Sequence, residues 1–181
     1  MSKVNVYLAD GCEEVEALTV VDLLRRGGID TDMVSIMGRK EITSSHNVTF
    51  LADKLFEEQD TPDVIVLPGG IPGTPNLKAH AGLAELIKKH NAEGKLLAAI
   101  CAAPTVYGEL GLLEGKKATC YPGMEDGLLG ADKQVDEVVV DDNFVTSRGL
   151  GTAISFGLEL VSILKDKETA NALANKIVYK Q

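Results

Sequence analysis

The chain carries the run LLAAICAAPT at residues 96–105, which predicts a strand, a sharp turn and a helix in immediate succession. The apolar residues 96–100 are typical of a buried strand, and the small residues on both sides of Cys101 allow the chain to bend. The helix that follows would direct unpaired N–H groups and the positive end of its dipole at the sulfur. We therefore expect the Cys101 thiol to ionise more readily than a free thiol.

Strands and helices alternate along the rest of the chain as well. The hydrophobic pattern predicts strands at residues 4–9, 31–37, 63–67, 96–100, 118–121, 135–140 and 143–146, and helices at 13–26, 77–90, 104–111, 151–164 and 167–177. Residues 42–51 are expected to form an excursion with one or two short strands. This alternation predicts an α/β fold, an open three-layer arrangement with a parallel sheet covered on both faces. Because no linker or repeat interrupts the pattern, we expect one domain over residues 1–181.

Three distant segments follow the predicted strands directly. They are residues 10–16, the glycine pair that ends at Gly70, and Cys101. Ligands of open parallel sheets bind at the carboxyl ends of the strands. We therefore expect these three segments to converge on one site.

Composition and charge exclude several classes of protein. The formal net charge is −9, from 18 basic and 27 acidic residues, and no basic cluster suggests a nucleic-acid partner. The apolar runs are too short for a membrane helix, and the first of them does not resemble a signal peptide, so we expect a cytoplasmic protein. The 3 cysteines and 3 histidines are scattered, which argues against a disulfide scaffold and against a metal site.

Two residue types at the expected site have alternative interpretations. Cys101 is either an activated nucleophile or a buried structural thiol. Glu13, Glu14 and Glu16 open a helix, where acidic residues ordinarily complement the dipole. If Glu16 faces the strand ends, however, burial would raise its pKa, and its protonated carboxyl would donate a hydrogen bond to the thiolate.

The glycine motifs have a structural and a functional interpretation. The LPGG motif that ends at Gly70 forms either a tight turn or a close backbone approach with an N–H directed at the substrate. Residues 149–151, Gly-Leu-Gly, lack the other residues of a phosphate loop and are interpreted as a turn and a helix start.

The remaining cysteines and the histidines are not expected to take part in chemistry. Cys12 and Cys120 are predicted to be packing residues, although the predicted strand that contains Cys120 could border the site. His46, His80 and His90 are expected to face solvent rather than to serve as a catalytic base.

Four motifs, in order along nearly the whole chain, resemble the ThiJ/PfpI family. They are DGCEEVE at 10–16, LPGG at 67–70, AAICAAP at 98–104 and TSRGLGT at 146–152. The resemblance implies a flavodoxin-like fold, a homodimer and no cofactor. It also implies that Cys101 is a reactive, oxidation-sensitive thiol, that Glu16 is its protonated hydrogen-bond partner, and that the N–H groups of Gly70 and Ala102 are oxyanion donors.

The chain departs from the family pattern at several positions. Tyr121 stands before a proline where many members have a histidine, and a phenol is a poor general base at neutral pH. Proton transfer would then fall to Glu16 or water, with Tyr121 as a pocket residue. Leu150 replaces a frequent proline, and His46 replaces a frequent arginine near the expected dimer contact. The peptidase branch carries a histidine at the position of Ala102, so we do not expect a protease.

The sequence leaves competing functions open. The first is a cofactor-free, cysteine-dependent enzyme of the deglycase or glyoxalase type, which acts on a small carbonyl substrate or a glycated protein. The second is a redox-responsive stress sensor or chaperone that works through oxidation of Cys101. A third is an inert flavodoxin-like binding domain with an unremarkable thiol.

Overall fold

The fold consists of alternating strands and helices in a computed structural model that describes residues 2–180. The strands are β1 (Lys3–Leu8), β2 (Asp30–Ser35), β3 (Glu41–Thr43), β4 (Thr49–Leu51), β5 (Lys54–Leu55), β6 (Val64–Leu67), β7 (Leu96–Ile100), β8 (Lys117–Ala118), β9 (Asp132–Lys133), β10 (Val138–Asp141) and β11 (Phe144–Ser147). The helices are α1 (Glu14–Arg26), α2 (Gly73–Ala79), α3 (Ala81–Ala92), α4 (Pro104–Glu109), α5 (Ala153–Leu164) and α6 (Lys167–Lys176).

A 7-stranded sheet runs through the centre in the order β10-β11-β7-β6-β1-β2-β5. Neighbouring strands are parallel except β10 and β11, which form the antiparallel hairpin at one edge. Strands β3 and β4 form a separate hairpin, as expected for residues 42–51. The prediction of an α/β fold with a mostly parallel sheet is confirmed.

The core lies in two layers because successive side chains of each strand point to opposite faces of the sheet. In β7, Ala98 and Ile100 belong to the cluster that packs against α1, α5 and α6. Leu97 and Ala99 belong to the cluster that packs against α2, α3 and α4. Because both faces of β7 are covered, the carboxyl end of this strand is held firmly where Cys101 follows it.

Two predicted elements differ in the structure. The helix predicted at 77–90 is divided into α2 and α3 at His80, whose Nδ1 accepts the N–H of Leu83 at 3.0 Å and caps α3. Of the strand predicted at 118–121, only Ala118 lies in a strand, as the second residue of β8. Beyond Ala118 the backbone leaves the ladder, since the N–H of Thr119 donates to the Thr146 side chain and that of Tyr121 donates to the Cys101 carbonyl.

The prediction that all three histidines face solvent is wrong for His90. This side chain is 1% exposed, and its Nε2 donates to the Pro62 carbonyl at 2.8 Å. The last turn of α3 packs beneath the segment that leads into β6, a contact that helical position alone does not reveal. Burial lowers the pKa of His90, so the ring is neutral at neutral pH.

The lengths of the helices test whether any of them could span a membrane. Within residues 2–180, no helix combines the length and the apolar character that crossing a bilayer requires.

Candidate active site

Cys101 occupies a strained turn between β7 and α4. Its φ is 64°, a left-handed conformation that costs energy in a residue with a side chain. The neighbouring backbone holds the turn in place, because the Cys101 N–H donates to the Ser147 carbonyl at 3.0 Å and its carbonyl accepts the Tyr121 N–H at 2.8 Å. The thiol is half-buried, whereas Cys12 and Cys120 are buried, as expected of packing residues.

Glu16 lies in the first turn of α1 and is directed into the interior. It is 1% exposed, and its Oε2 accepts the N–H of Gly69 at 2.9 Å. The Cys101 sulfur lies beside this carboxyl group, since a Cβ on Gly69 would be 2.8 Å from the Glu16 Oε2 and 2.9 Å from the Cys101 Sγ. The turn is fixed by Glu13, whose side chain accepts the Glu16 N–H at 2.6 Å. The start of α1 and the end of β7 are thereby brought together across 85 residues of sequence.

The glycine pair after β6 fits between these groups. A Cβ on Gly69 would lie 2.5 Å from the Cys101 Cβ and 2.8 Å from the Glu16 Oε2. Gly70 has a φ of 96°, and a Cβ there would lie 2.3 Å from the Glu13 nitrogen. Only glycine allows this approach, so the functional interpretation of the LPGG motif fits the structure better than a simple turn.

Two backbone donors surround the sulfur. The N–H groups of Gly70 and Ala102 are directed at the Cys101 sulfur and act to lower its pKa. The structure therefore brings the sequence-predicted residues Cys101, Glu16, Gly70 and Ala102 into one cluster.

The pKa values of Glu16 and Cys101 agree only in part with the expectation from the sequence. Burial raises the pKa of Glu16 to about 7, which agrees with the sequence analysis. Burial, followed by the charge of Glu16 and the hydrogen bond to it, raises the pKa of the Cys101 thiol to about 12. The expectation that this thiol ionises readily is therefore wrong while Glu16 carries its charge. Helix α4 is only 6 residues long, and its terminus does not outweigh burial and an adjacent carboxylate.

Cys101 and Glu16 must therefore be treated as one titrating unit. Because both pKa values are raised, the pair keeps one proton between about pH 7 and 12. When that proton lies on Glu16, the repulsion disappears and the carboxyl O–H can donate to the sulfur. A carboxyl group with a pKa near neutrality is suited to accept a thiol proton and return it.

A groove of about 320 Å³ runs beside the Glu16 carboxyl. Its lining residues are Tyr121, Pro122, Arg148, Gly149, Leu150, Gly151 and Thr152. A Cβ on Gly149 would lie 3.3 Å from the Tyr121 ring and 3.8 Å from the Glu16 Oε1, so the groove borders the Glu16 carboxyl. Tyr121 is 50% exposed and forms part of the wall. Two larger grooves, of about 400 and 560 Å³, are lined by aliphatic, hydroxyl and charged side chains of the α1 and α6 region, which lack a nucleophilic thiol.

One cluster has the spacing of a metal site. Ligand atoms of Glu13, Glu14 and His46 lie within 4.8 Å of one another. These side chains already have protein partners, since Glu13 caps α1 and Glu14 contacts His46 Nδ1 at 3.2 Å. His46 is exposed, as the sequence predicted.

Sequence reasoning missed two residues around the pair. The sequence indicates Glu13 only as a dipole complement, because glutamate at this position gives no strong capping signal. Arg148 lies within the TSRGLGT motif, but nothing in its spacing indicated that it lines the groove.

Comparison with known proteins gives consistent matches along the chain. The sequence model of the DJ-1/PfpI family matches residues 2–163. The Arabidopsis thaliana protein DJ-1 homolog B is 40% identical over 97% of this chain, which spans only 41% of that relative's length. A Pyrococcus abyssi protein named a deglycase is 35% identical over 90% of this chain and 99% of its own. The solved structure of oxidised Toxoplasma gondii DJ-1 superposes with a TM-score of 0.95 at 38% identity, and each chain is covered completely.

Proposed function

The chain belongs to the DJ-1/PfpI family, and we propose that it is a cysteine-dependent, cofactor-free enzyme that acts on reactive dicarbonyls or on their adducts with proteins. The observation that carries the proposal is the position of the Cys101 sulfur beside the buried Glu16 carboxyl, because a Cβ on Gly69 would lie 2.9 Å from the sulfur and 2.8 Å from the Glu16 Oε2. Burial raises the pKa of this carboxyl to about 7. The Pyrococcus relative named a deglycase supports the same class of activity.

The first step is addition of the sulfur to the more reactive carbonyl carbon. As the S–C bond forms, the thiol proton passes to the Glu16 carboxylate and the carbonyl π electrons move onto oxygen. The N–H groups of Gly70 and Ala102 can stabilise the resulting oxyanion, because they already converge on the sulfur. Return of the proton to that oxygen gives a hemithioacetal.

Proton transfer then completes the reaction without an oxidant or a cofactor. Glu16 takes the proton from the carbon bonded to sulfur, and the electrons of that C–H bond form an enediolate whose charge lies on the neighbouring carbonyl oxygen. The hydroxyl proton on the sulfur-bearing carbon moves to this neighbouring oxygen, and the Glu16 carboxyl returns its proton to the neighbouring carbon, which produces a 2-hydroxy thioester. Water cleaves the thioester to a 2-hydroxy acid and the free thiol. The net change is addition of one water molecule, and Tyr121 serves as a wall of the groove.

The test compares two cysteine variants in their production of lactate from methylglyoxal. Cys101→Ala is expected to abolish turnover, whereas Cys120→Ala, which removes a buried thiol, should keep it. Turnover by Cys101→Ala at the wild-type rate would refute the proposal.

A second candidate function is redox sensing at the same sulfur. It is favoured by the exposure of Cys101 relative to the other two cysteines, and the Toxoplasma relative was solved in an oxidised form. Two peroxide molecules would convert the thiol to a sulfinic acid and release two water molecules. A protonated Glu16 and the two N–H groups would then bind the sulfinate oxygens. Mild peroxide should add two oxygens to Cys101 alone, and equal oxidation of all three cysteines would count against this function.

A homodimer is also part of the proposal. It is supported by the exposed apolar side chains of Val15, Leu18, Val48 and Leu51 on α1 and the β3–β4 hairpin. Sedimentation should show a dimer that Leu18→Asp weakens. The single domain over residues 1–181 and the cytoplasmic location stay predictions.

A further inference from the structure

The groove that borders the Glu16 carboxyl is lined by an arginine that lacks an ion-pair partner among residues 2–180. Arg148 lines this groove, and its Nη1 donates to the Val135 carbonyl at 3.2 Å. Among residues 2–180, no carboxylate lies within ion-pair distance of this guanidinium. A guanidinium carries five N–H donors, so most of those of Arg148 remain available.

The other arginines of the chain behave differently. Arg25 pairs with Asp53 at 2.6 Å, Arg26 with Asp22 at 2.6 Å, and Arg39 with Asp10 at 2.5 Å. In a chain with 27 acidic residues, an arginine is expected to find a carboxylate. Arg148 therefore differs from the other arginines in having no carboxylate partner among residues 2–180, and it lines the groove.

The backbone fixes Arg148 close to the reactive pair. It follows Ser147, whose carbonyl accepts the Cys101 N–H at 3.0 Å. On its other side, Gly149 lies between the Tyr121 ring and the Glu16 carboxyl. Arg148 therefore lies one residue from each of two backbone positions that border the reacting groups, and it lines the groove.

Nearby charges do not cancel that of Arg148. Burial raises the pKa of the Cys120 thiol to about 11, the charge of Glu125 adds to this, and the charge of Arg148 acts against it. The Glu125 carboxylate accepts the Gly123 N–H at 2.7 Å and is absent from the residues that line the groove. Arg148 supplies the only charge among those lining residues.

The size of the groove also points beyond the smallest dicarbonyls. Pockets of about 300 Å³ and more hold ligands much larger than a three-carbon compound. A substrate that reacts at Cys101 would therefore have room for a further group along the 320 Å³ groove.

We propose that Arg148 selects substrates that carry a carboxylate in addition to the reacting carbonyl group. This inference rests on the proposed function and names its substrate class. A guanidinium binds a carboxylate through two parallel charge-assisted hydrogen bonds, which a neutral group cannot accept as strongly. One guanidinium matches the single charge of a carboxylate, whereas a phosphate dianion calls for additional donors.

The test measures reversible aldehyde binding at Cys101 and requires no turnover. The probes are 4-oxobutanoate and its methyl ester, which differ only in the charged group. Each forms a hemithioacetal with Cys101 and thereby protects it from iodoacetamide, so the concentration that halves the alkylation rate reports affinity. In the wild-type protein, the concentration of the acid that gives half-protection should be at least about tenfold lower than that of the ester. This ratio is the gain in affinity expected from one charge-assisted hydrogen-bonding pair.

Three variants isolate the contribution of Arg148. Arg148→Gln should bring the acid-to-ester ratio close to one, and Arg148→Lys, which keeps the charge, should give an intermediate ratio. Arg26→Gln removes the same charge from an exposed surface ion pair and should leave the wild-type ratio unchanged. An acid preference that is absent from the wild type, or that survives in Arg148→Gln, would overturn the inference. So would an equal loss of preference in Arg26→Gln, since it would show an effect of net charge alone.

A separate turnover assay distinguishes this inference from the proposed function. It uses 4,5-dioxopentanoate and its methyl ester as dicarbonyl substrates. Arg148-dependent protection without turnover of either compound would support the inference and refute the enzyme. Turnover of both compounds with equal kcat/KM would support the enzyme and refute the inference.

Discussion

Replacement of Glu16 by glutamine tests whether a buried, titrating carboxyl lies beside the thiol. Glutamine keeps the shape of the side chain, and its oxygen can still accept the Gly69 N–H. Glutamine cannot ionise, however, so Glu16→Gln removes the destabilisation that a buried charge causes in the folded protein. The effect should appear as a pH-dependent difference in stability between the variant and the wild type.

The magnitude follows from the shift in the pKa of Glu16. Burial raises this pKa from its ordinary value of 4.5 to about 7. Below pH 4.5 the carboxyl is protonated in both the folded and the unfolded protein. As pH rises from 4.5 to about 7, the unfolded chain loses this proton before the folded protein does, and the wild type loses stability. At about 1.4 kcal/mol for each pH unit, the loss at pH 8 amounts to about 3 kcal/mol.

The assay is urea unfolding of the wild type and Glu16→Gln at pH 4.5 and pH 8. The free energy of unfolding of Glu16→Gln, relative to the wild type, should rise by about 3 kcal/mol between the two conditions. Glu14→Gln is the matched control two residues earlier. Although burial acts to raise the pKa of Glu14, hydrogen bonds from its own backbone N–H, His46 and Ser44 lower it overall. The contribution of Glu14 is present above its ordinary pKa and is lost as pH falls, so its variant should show the opposite trend.

One outcome would refute this reasoning directly. If the stability difference between Glu16→Gln and the wild type were the same at both pH values, the carboxyl would titrate as an ordinary exposed glutamate. The burial of Glu16 and its role in proton transfer would then both be wrong.

Two further predictions follow from close packing and from a buried ring. Gly69→Ala would place a methyl group 2.5 Å from the Cys101 Cβ and 2.8 Å from the Glu16 Oε2, so methylglyoxal turnover should fall by about 100-fold; near-normal turnover would contradict the assigned geometry. Burial lowers the pKa of His90, so its contribution to stability is present above pH 6.5 and is lost as pH falls below that value. His90→Gln, which can still donate to the Pro62 carbonyl, should therefore compare more favourably with the wild type at pH 5 than at pH 8 in urea unfolding, and an equal difference at both pH values would count against burial of a neutral ring.

Much of the fold is readable from local pattern. The continuous apolar runs before Gly69 and Cys101 predict buried parallel strands, and β6 and β7 are neighbours in the centre of the sheet. Because parallel strands end at a common edge, the same pattern brings Gly70 and Cys101 together. The proximity of Glu16 follows from the same rule, since α1 begins just beyond the end of β1.

Features that depend on burial were not predictable in this way. His90 resembles an ordinary residue of a last helical turn until its contact with Pro62, 28 residues away, is known. The raised pKa of the Cys101 thiol depends on how deeply the sulfur and Glu16 are buried together. Sequence position identified the helix terminus that would lower this pKa but not the burial that outweighs it.

The most direct test of a proton shared between Cys101 and Glu16 is the pH dependence of Cys101 alkylation by iodoacetamide, followed by mass spectrometry in the wild type and Glu16→Gln. In the wild type the rate should rise with an apparent pKa near 7, because loss of one proton from the pair creates its reactive form. In Glu16→Gln this step should move to higher pH, since the amide cannot accept the thiol proton. A single rise at the pKa of free cysteine, about 8.5, in both proteins would contradict the shared proton.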